Sequence, residues 1–131
     1  MKTLHKLTLL GFILLSTQTA MAKDNTILTL TNSNYLSKLL TSDKPVLVKF
    51  WASWCRACRT MTPKFHSAAK TLKGKVTFAQ LNVDEQKQVA ARYQIRSLPT
   101  MILFNKDKIL NKTVGSLSQK QIEAFVKNSL K

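Results

Sequence analysis

The chain is short of cysteine, short of acid and without a long apolar run, and each shortage closes off a class of protein. Of 131 residues only two are cysteines, Cys55 and Cys58. Small exported domains that rely on disulfides for stability carry several, bridged at long sequence separation. A bridge between positions this close removes little chain entropy, so the pair is there for chemistry and not as a framework. No apolar stretch approaches the roughly 18 residues of a membrane span. No internal repeat or low-complexity segment is visible, and the 44% hydrophobic content suits one globular domain with a core of its own. Only six acids oppose 21 lysines and arginines, for a formal charge of +15.

The first 22 residues have a different texture. Lys2, His5 and Lys6 precede an apolar run from Leu7 to Leu15, interrupted by Thr8 and Gly11, and a polar stretch then leads to Ala20-Met21-Ala22. A basic start, a short apolar centre and an Ala-x-Ala site predict a secretory signal peptide cleaved after Ala22, with residues 23–131 as the mature domain in the bacterial periplasm. The competing reading is a buried N-terminal helix. The segment has no cysteine to receive a lipid anchor. Loss of Lys2 and Lys6 lowers the formal charge of +15 by two, to +13. Such a charge attracts anionic membrane surfaces and acidic proteins in a salt-dependent way. Nucleic acid is not expected as a partner, because the chain is exported and its lysines are dispersed, not clustered. A solvated face that maintains solubility accounts for the charge equally well.

The mature chain alternates strand-like and helical patterns. Thr26 to Leu30 reads as a short strand, and Asn32 or Ser33 can cap a helix through Tyr35, Leu36, Leu39 and Leu40. Val46 to Ala52 is almost continuously apolar, as in a central strand buried on both faces. After the first cysteine, Met61, Phe65, Ala68, Ala69 and Leu72 recur at helical spacing, with Pro63 placed to bend the helix and Lys73-Gly74-Lys75 to end it. Val76 to Val83 is the next strand and Glu85 to Tyr93 a short helix. Thr100 to Phe104 and Ile109 to Val114 form a hairpin, and Ser118 caps a last helix bearing Ile122, Phe125, Val126 and Leu130. The order β-α-β-α-β-α-β-β-α predicts an α/β layer fold whose sheet is mixed, because the last two strands pair as a hairpin.

Cys55 follows a strand and opens a helix, where unpaired backbone N–H groups and the helix dipole favour an anion. Its thiolate should be stabilised and act as the nucleophile, with Cys58 one turn on to resolve a mixed disulfide. Zinc is the rival, since Cys-x-x-Cys is half of a four-ligand site. The other half is missing, because the mature chain offers no further cysteine and one histidine, His66.

The run Phe50-Trp51-Ala52-Ser53-Trp54-Cys55-Arg56-Ala57-Cys58-Arg59, followed by Pro63, resembles the active-site strand and helix of the thioredoxin family. The resemblance extends through Leu81-Asn82-Val83-Asp84, Tyr93-Gln94-Ile95-Arg96-Ser97-Leu98-Pro99-Thr100 and Val114-Gly115-Ser116-Leu117-Ser118, across the mature chain. It implies the thioredoxin fold, a central mixed β-sheet flanked by helices, and a redox-active Cys55–Cys58 disulfide. It also implies a cis peptide before Pro99 facing the cysteines, and a shallow groove at Trp54, Leu98 and Gly115; Arg56, which is not part of the family pattern, is expected as a further substrate contact. The activity implied is thiol–disulfide exchange with protein thiols and disulfides, by a monomer without cofactor or metal, supplied by a membrane thiol protein as electron donor or acceptor.

Four positions, in three places, depart from the family pattern. Arg56-Ala57 replaces Gly-Pro between the cysteines, Lys49 replaces the acid beneath the active site, and Gln80 replaces the lysine that pairs with that acid. Lys49 either snorkels its ammonium past the core or sits partly buried with a lowered pKa, able to handle a proton for Cys58. An arginine ~7 Å from the thiolate at an effective dielectric of ~40 contributes about 1 kcal/mol. One or two such terms raise a thioredoxin-like potential near −270 mV by only ~20–45 mV, far short of the roughly −120 mV of a strong oxidant. Cys-x-Ala-Cys also resembles the reducing periplasmic domains of membrane electron transporters. A reductase is therefore expected. The alternatives are a disulfide-forming oxidant, a non-catalytic binding module or adaptor, and a carrier of a soft cation such as Cu(I).

Overall fold

The computed structural model describes residues 27–131, so the predicted signal peptide lies outside the described residues. Five strands and four helices follow one another as β1 (Ile27–Thr29), α1 (Tyr35–Thr41), β2 (Val46–Trp51), α2 (Arg56–Thr71), β3 (Thr77–Asn82), α3 (Lys87–Arg92), β4 (Thr100–Asn105), β5 (Lys108–Val114) and α4 (Gln119–Ser129). The strands form one sheet in the order β1-β3-β2-β4-β5. The pairs β1–β3 and β3–β2 are parallel, while β2–β4 and β4–β5 are antiparallel, so the sheet is mixed.

The apolar run Val46–Phe50 becomes the middle strand because only that position hides both faces. Alternation along β2 then divides the core. Leu47 faces Met61, Phe65 and Ala68 of α2 together with Ile122 and Val126 of α4. Val46, Val48 and Phe50 face Leu39 of α1 and Val89 of α3. Lys49 lies between these layers in sequence but on the same face as Leu47, opposite Gln80 of β3 and Met101 of β4. Helix α2 continues unbroken through Pro63 to Thr71.

Strand ends shift by a residue from the sequence expectation, and the starts of two helices differ for identifiable reasons. Helix α1 begins after Asn34, not after Asn32 or Ser33. Asn32 is committed elsewhere. Its side-chain oxygen accepts the N–H of Val89 at 3.2 Å, and its own N–H donates to Gln86 at 2.8 Å, so it caps α3 from across the fold. That helix is correspondingly short. Glu85 stays outside it in a turn where Asn82 Oδ1 accepts the N–H groups of Asp84 and Glu85. Ser118 behaves as read, accepting the N–H of Gln121 while the Gln121 side chain accepts the Ser118 N–H.

Ser118→Ala removes half of that reciprocal cap and should cost about 1 kcal/mol in urea denaturation. An unchanged midpoint would mean that packing of Ile122 and Val126 alone holds the start of α4.

Candidate active site

Strand β2 ends at Trp51, and a tight loop turns the chain into α2. Within it the N–H of Cys55 donates to the carbonyl of Ala52 at 3.1 Å. Cys55 takes extended backbone angles as the N-cap of α2, and its sulfur accepts the N–H of Cys58 at 3.1 Å. The sulfur thus occupies the place where a serine or aspartate oxygen would cap a helix, at the positive end of sixteen aligned peptide dipoles. Cys55 and Cys58 are joined by a disulfide, their Cα atoms 5.3 Å apart. The two sulfurs are not equivalent. Cys55 is 6% exposed and Cys58 only 1%, so attack from solvent meets Cys55 first.

The residues brought against the pair come from separate loops. Ala52 is buried with both cysteines, and Trp51, Val83 and Leu98 pack on them. The Leu98–Pro99 peptide is cis, and the carbonyl of Pro99 accepts the N–H of Gly115 at 2.8 Å. Gly115 sits at φ 104°, a backbone region that favours glycine. Leu98 therefore lies beside the disulfide, with Gly115 tied to the same loop. Trp54 stands 68% exposed next to Cys55, its ring steadied by an indole N–H donated to Asp84 at 2.8 Å. An apolar ring held upright at the surface costs hydration and suits contact with another chain. Arg56 is exposed in the first turn of α2. Arg59 reaches back to donate to the carbonyl of Ser53 at 2.7 Å, bracing the loop.

Lys49 is enclosed. It is 1% exposed, so its stem does not carry the ammonium to solvent. Nζ donates to Thr62 Oγ1 at 3.2 Å and lies 4.8 Å from the centre of the Phe65 ring. Thr62 in turn donates to the carbonyl of Cys58 at 2.9 Å, one helical turn back. Burial lowers the Lys49 pKa from its ordinary 10.5 to about 8. His66, exposed one turn beyond Thr62, is held below its ordinary value first by desolvation and then by the charges of Lys49 and Lys70.

Of the residues singled out in the sequence, Leu98 packs on the two cysteines, Pro99 follows it across the cis peptide, Gly115 is tied to that loop, Trp54 and Arg56 flank Cys55, and Lys49 reaches the Cys58 turn through Thr62. Sequence reasoning missed Thr62 and Asp84. Thr62 was within reach, since a residue four positions after Cys58 on a helix lies over the same face. The Trp54–Asp84 bond joins residues thirty positions apart and had no local signal. Among the described residues no three His, Cys, Asp or Glu side chains gather into a metal-binding group.

Residues 26–128 match the sequence profile of the family described as Thioredoxin. The chain belongs to the thioredoxin family. Among its curated relatives is the thioredoxin of Chlorobaculum thiosulfatiphilum, 42% identical over 70% of this chain and 85% of the relative. That of Alicyclobacillus acidocaldarius is 41% identical over 74% and 91% respectively, and that of Buchnera aphidicola 35% identical over 81% and 98%. This thioredoxin is a thiol–disulfide oxidoreductase with Cys55–Cys58 as its redox-active disulfide, acting on protein disulfides.

The buried ammonium makes a prediction for stability. Folding lowers the Lys49 pKa, so the native state binds fewer protons than the unfolded chain between about pH 8 and 10.5, and stability rises with pH across that window. Below it the full desolvation cost applies, about 3 kcal/mol at about 1.4 kcal/mol per pH unit. Oxidised Lys49→Met, whose side chain fills similar space, should be ~1–3 kcal/mol more stable than the parent at pH 7. The gap should close towards pH 10.5 in urea denaturation. A less stable variant at pH 7 would mean that the contacts to Thr62 and Phe65 outweigh desolvation.

Proposed function

We propose that this thioredoxin works outside the cytoplasm as a reductase of protein disulfides, recharged by a membrane thiol protein. The asymmetry of the pair carries the chemical part of this reading. Cys55 is reachable at a helix N-terminus, and Cys58 is enclosed behind it. In the reducing direction the Cys55 thiolate attacks a substrate sulfur, the substrate disulfide breaks, and its other sulfur leaves as thiolate. Cys58 then attacks Cys55 Sγ, breaks the mixed disulfide and frees the second substrate thiol, leaving the Cys55–Cys58 disulfide. Trp54, Leu98 and Gly115 offer the surface on which the substrate segment rests, with Arg56 at its edge.

The direction is supported by the weakness of the arginine charges at the site. Arg56 and Arg59 are both exposed, and exposed charges are screened by water and salt. Their effect on the thiolate is smaller than the ~1 kcal/mol each would exert in a drier setting. A potential near −270 mV is expected against glutathione buffers, and one near −120 mV would assign the protein to disulfide formation instead. The location is supported by residues 1–22, with their basic start, apolar centre and Ala20-Met21-Ala22. The charge of the mature chain favours acidic partners or an anionic membrane surface.

Two experiments test the reading. Cys58→Ser should accumulate stable mixed disulfides with substrate proteins, and Cys55→Ser should not; equal trapping by both would contradict Cys55 as nucleophile. Mass spectrometry of the protein from its native host should find Lys23 as the first residue, outside the cytoplasm. A cytoplasmic chain that keeps Met1 would end the export proposal.

A further inference from the structure

We propose that Lys49, held by Thr62 beneath the Cys58 turn, is the group that takes up a proton when the Cys55–Cys58 disulfide is reduced. The inference rests on the pair exchanging with thiols, and it adds where the accompanying charge goes. The oxidised site is uncharged at sulfur, and among the described residues Lys49 is the one buried charged side chain. That side chain is 1% exposed, and among the described residues its recorded acceptor is Thr62 Oγ1, with no carboxylate against it. Burial lowers its pKa to about 8, outweighing the Thr62 acceptor that favours the charged amine. Reduction changes the setting. A thiolate at Cys55 places a negative charge above the same low-dielectric interior, where opposite charges attract far more strongly than in water. Two hydrogen bonds link Nζ to the Cys58 backbone, 3.2 Å to Thr62 and 2.9 Å onward to the Cys58 carbonyl. The ammonium is therefore favoured in the reduced protein at a pH where the oxidised protein holds the neutral amine.

The step balances without another reactant. A dithiol attacks, the Cys55–Cys58 bond breaks, and two electrons pass to its sulfurs as the dithiol becomes a disulfide. Above about pH 8, where the oxidised form holds the neutral amine, one of the two protons released goes to Cys58 and the other to Lys49. Cys55 is left as a thiolate, paired in charge with the new ammonium. Net charge is unchanged.

Neighbouring groups do not supply the same effect. In the adjacent strands the register partners of Lys49 are Gln80 and Met101, neither of which titrates. Packed on this layer from α4 are Ile122 and Val126, both apolar. On α2 the other ionisable groups are Arg56, Cys58 itself, Arg59, Lys64, His66 and Lys70, of which both arginines and Lys64 are exposed and screened by water. His66 lies below its ordinary 6.5 and is neutral well before pH 8. Lys70 is exposed, where water screens the change at sulfur. Ionisation of Cys58 at high pH acts in the opposite sense, since it reduces the protons bound by the reduced form.

The test is the midpoint potential of wild type, Lys49→Met and Thr62→Val from equilibria with glutathione buffers from pH 6 to 9.5, referred to the known potential of glutathione at each pH so that ionisation of its own thiol drops out. In wild type the number of protons bound on reduction should rise by one above about pH 8, an extra tenfold in the equilibrium constant per pH unit, or about 30 mV. Lys49→Met should show no rise. Thr62→Val keeps the shape of the site but removes the acceptor that favours the charged amine, so its rise should begin at lower pH. A wild-type profile without any rise above pH 8 overturns the proposal whatever the variants do. So does a rise that survives in Lys49→Met, and an unmoved onset in Thr62→Val removes Thr62 from it. A pair that never equilibrates with glutathione would overturn the oxidoreductase assignment as well, whereas equilibration without the extra proton overturns this inference alone.

Discussion

The N–H of Cys58 points at the sulfur of Cys55 across 3.1 Å, and most of the molecule can be understood as holding that contact in place. For a sulfur to cap a helix, the chain must leave a strand, turn within a few residues and start helical geometry at a fixed spot. Strand β2 provides the fixed spot because it is locked between β3 and β4 and buried on both faces. Helix α2 provides the direction, pinned by Met61, Phe65 and Ala68 against the sheet. The dipole and the free N–H groups at its start then stabilise negative charge on the one cysteine that solvent can reach. The nucleophilic role proposed for Cys55 thus depends on sheet burial some distance away.

How much of this could be read in advance follows from the range of each interaction. The doubly buried strand was legible from Val46 to Ala52, because burial on both faces leaves no polar alternation. The cap at Ser118 was legible because its partner, Gln121, is three residues away. The capping of α3 by Asn32 was not, because its bond to Val89 spans 57 positions, and a local rule assigned Asn32 to the helix that follows it. The groove was readable by resemblance, yet the bond that steadies Trp54 needs Asp84 from another loop. At Lys49 the residue itself was conspicuous in an apolar strand. Whether its ammonium escaped to solvent depended on α2 lying over it, which only the packed layer decides.

Lys49 is where local preference and global fold disagree. A charged side chain in the middle of the central strand works against burial, and no carboxylate among the described residues compensates it. The threonine hydroxyl and the Phe65 ring soften the cost without cancelling it, which is why the ammonium gives up its proton more readily than a lysine in water. Conflicts of this kind are concentrated at sites where chemistry uses them. Here the conflict lies one helical turn beneath the resolving cysteine, joined to it through Thr62.

The sign of that buried charge sets how the two redox forms compare. A buried acid would be made less favourable by a thiolate nearby, whereas a buried base is made more favourable. In this chain the form that is least comfortable is the oxidised one at neutral pH, with an ammonium and no counter-charge. Reduction supplies the counter-charge at Cys55. On the proposal made above, the same lysine destabilises the disulfide form and favours the dithiol, which moves the couple in the oxidising direction, while the exposed, screened arginines add little. A reductase can carry that shift provided it is small, and the enclosure of Lys49 allows it to become smaller as pH rises and the amine of the oxidised form loses its proton.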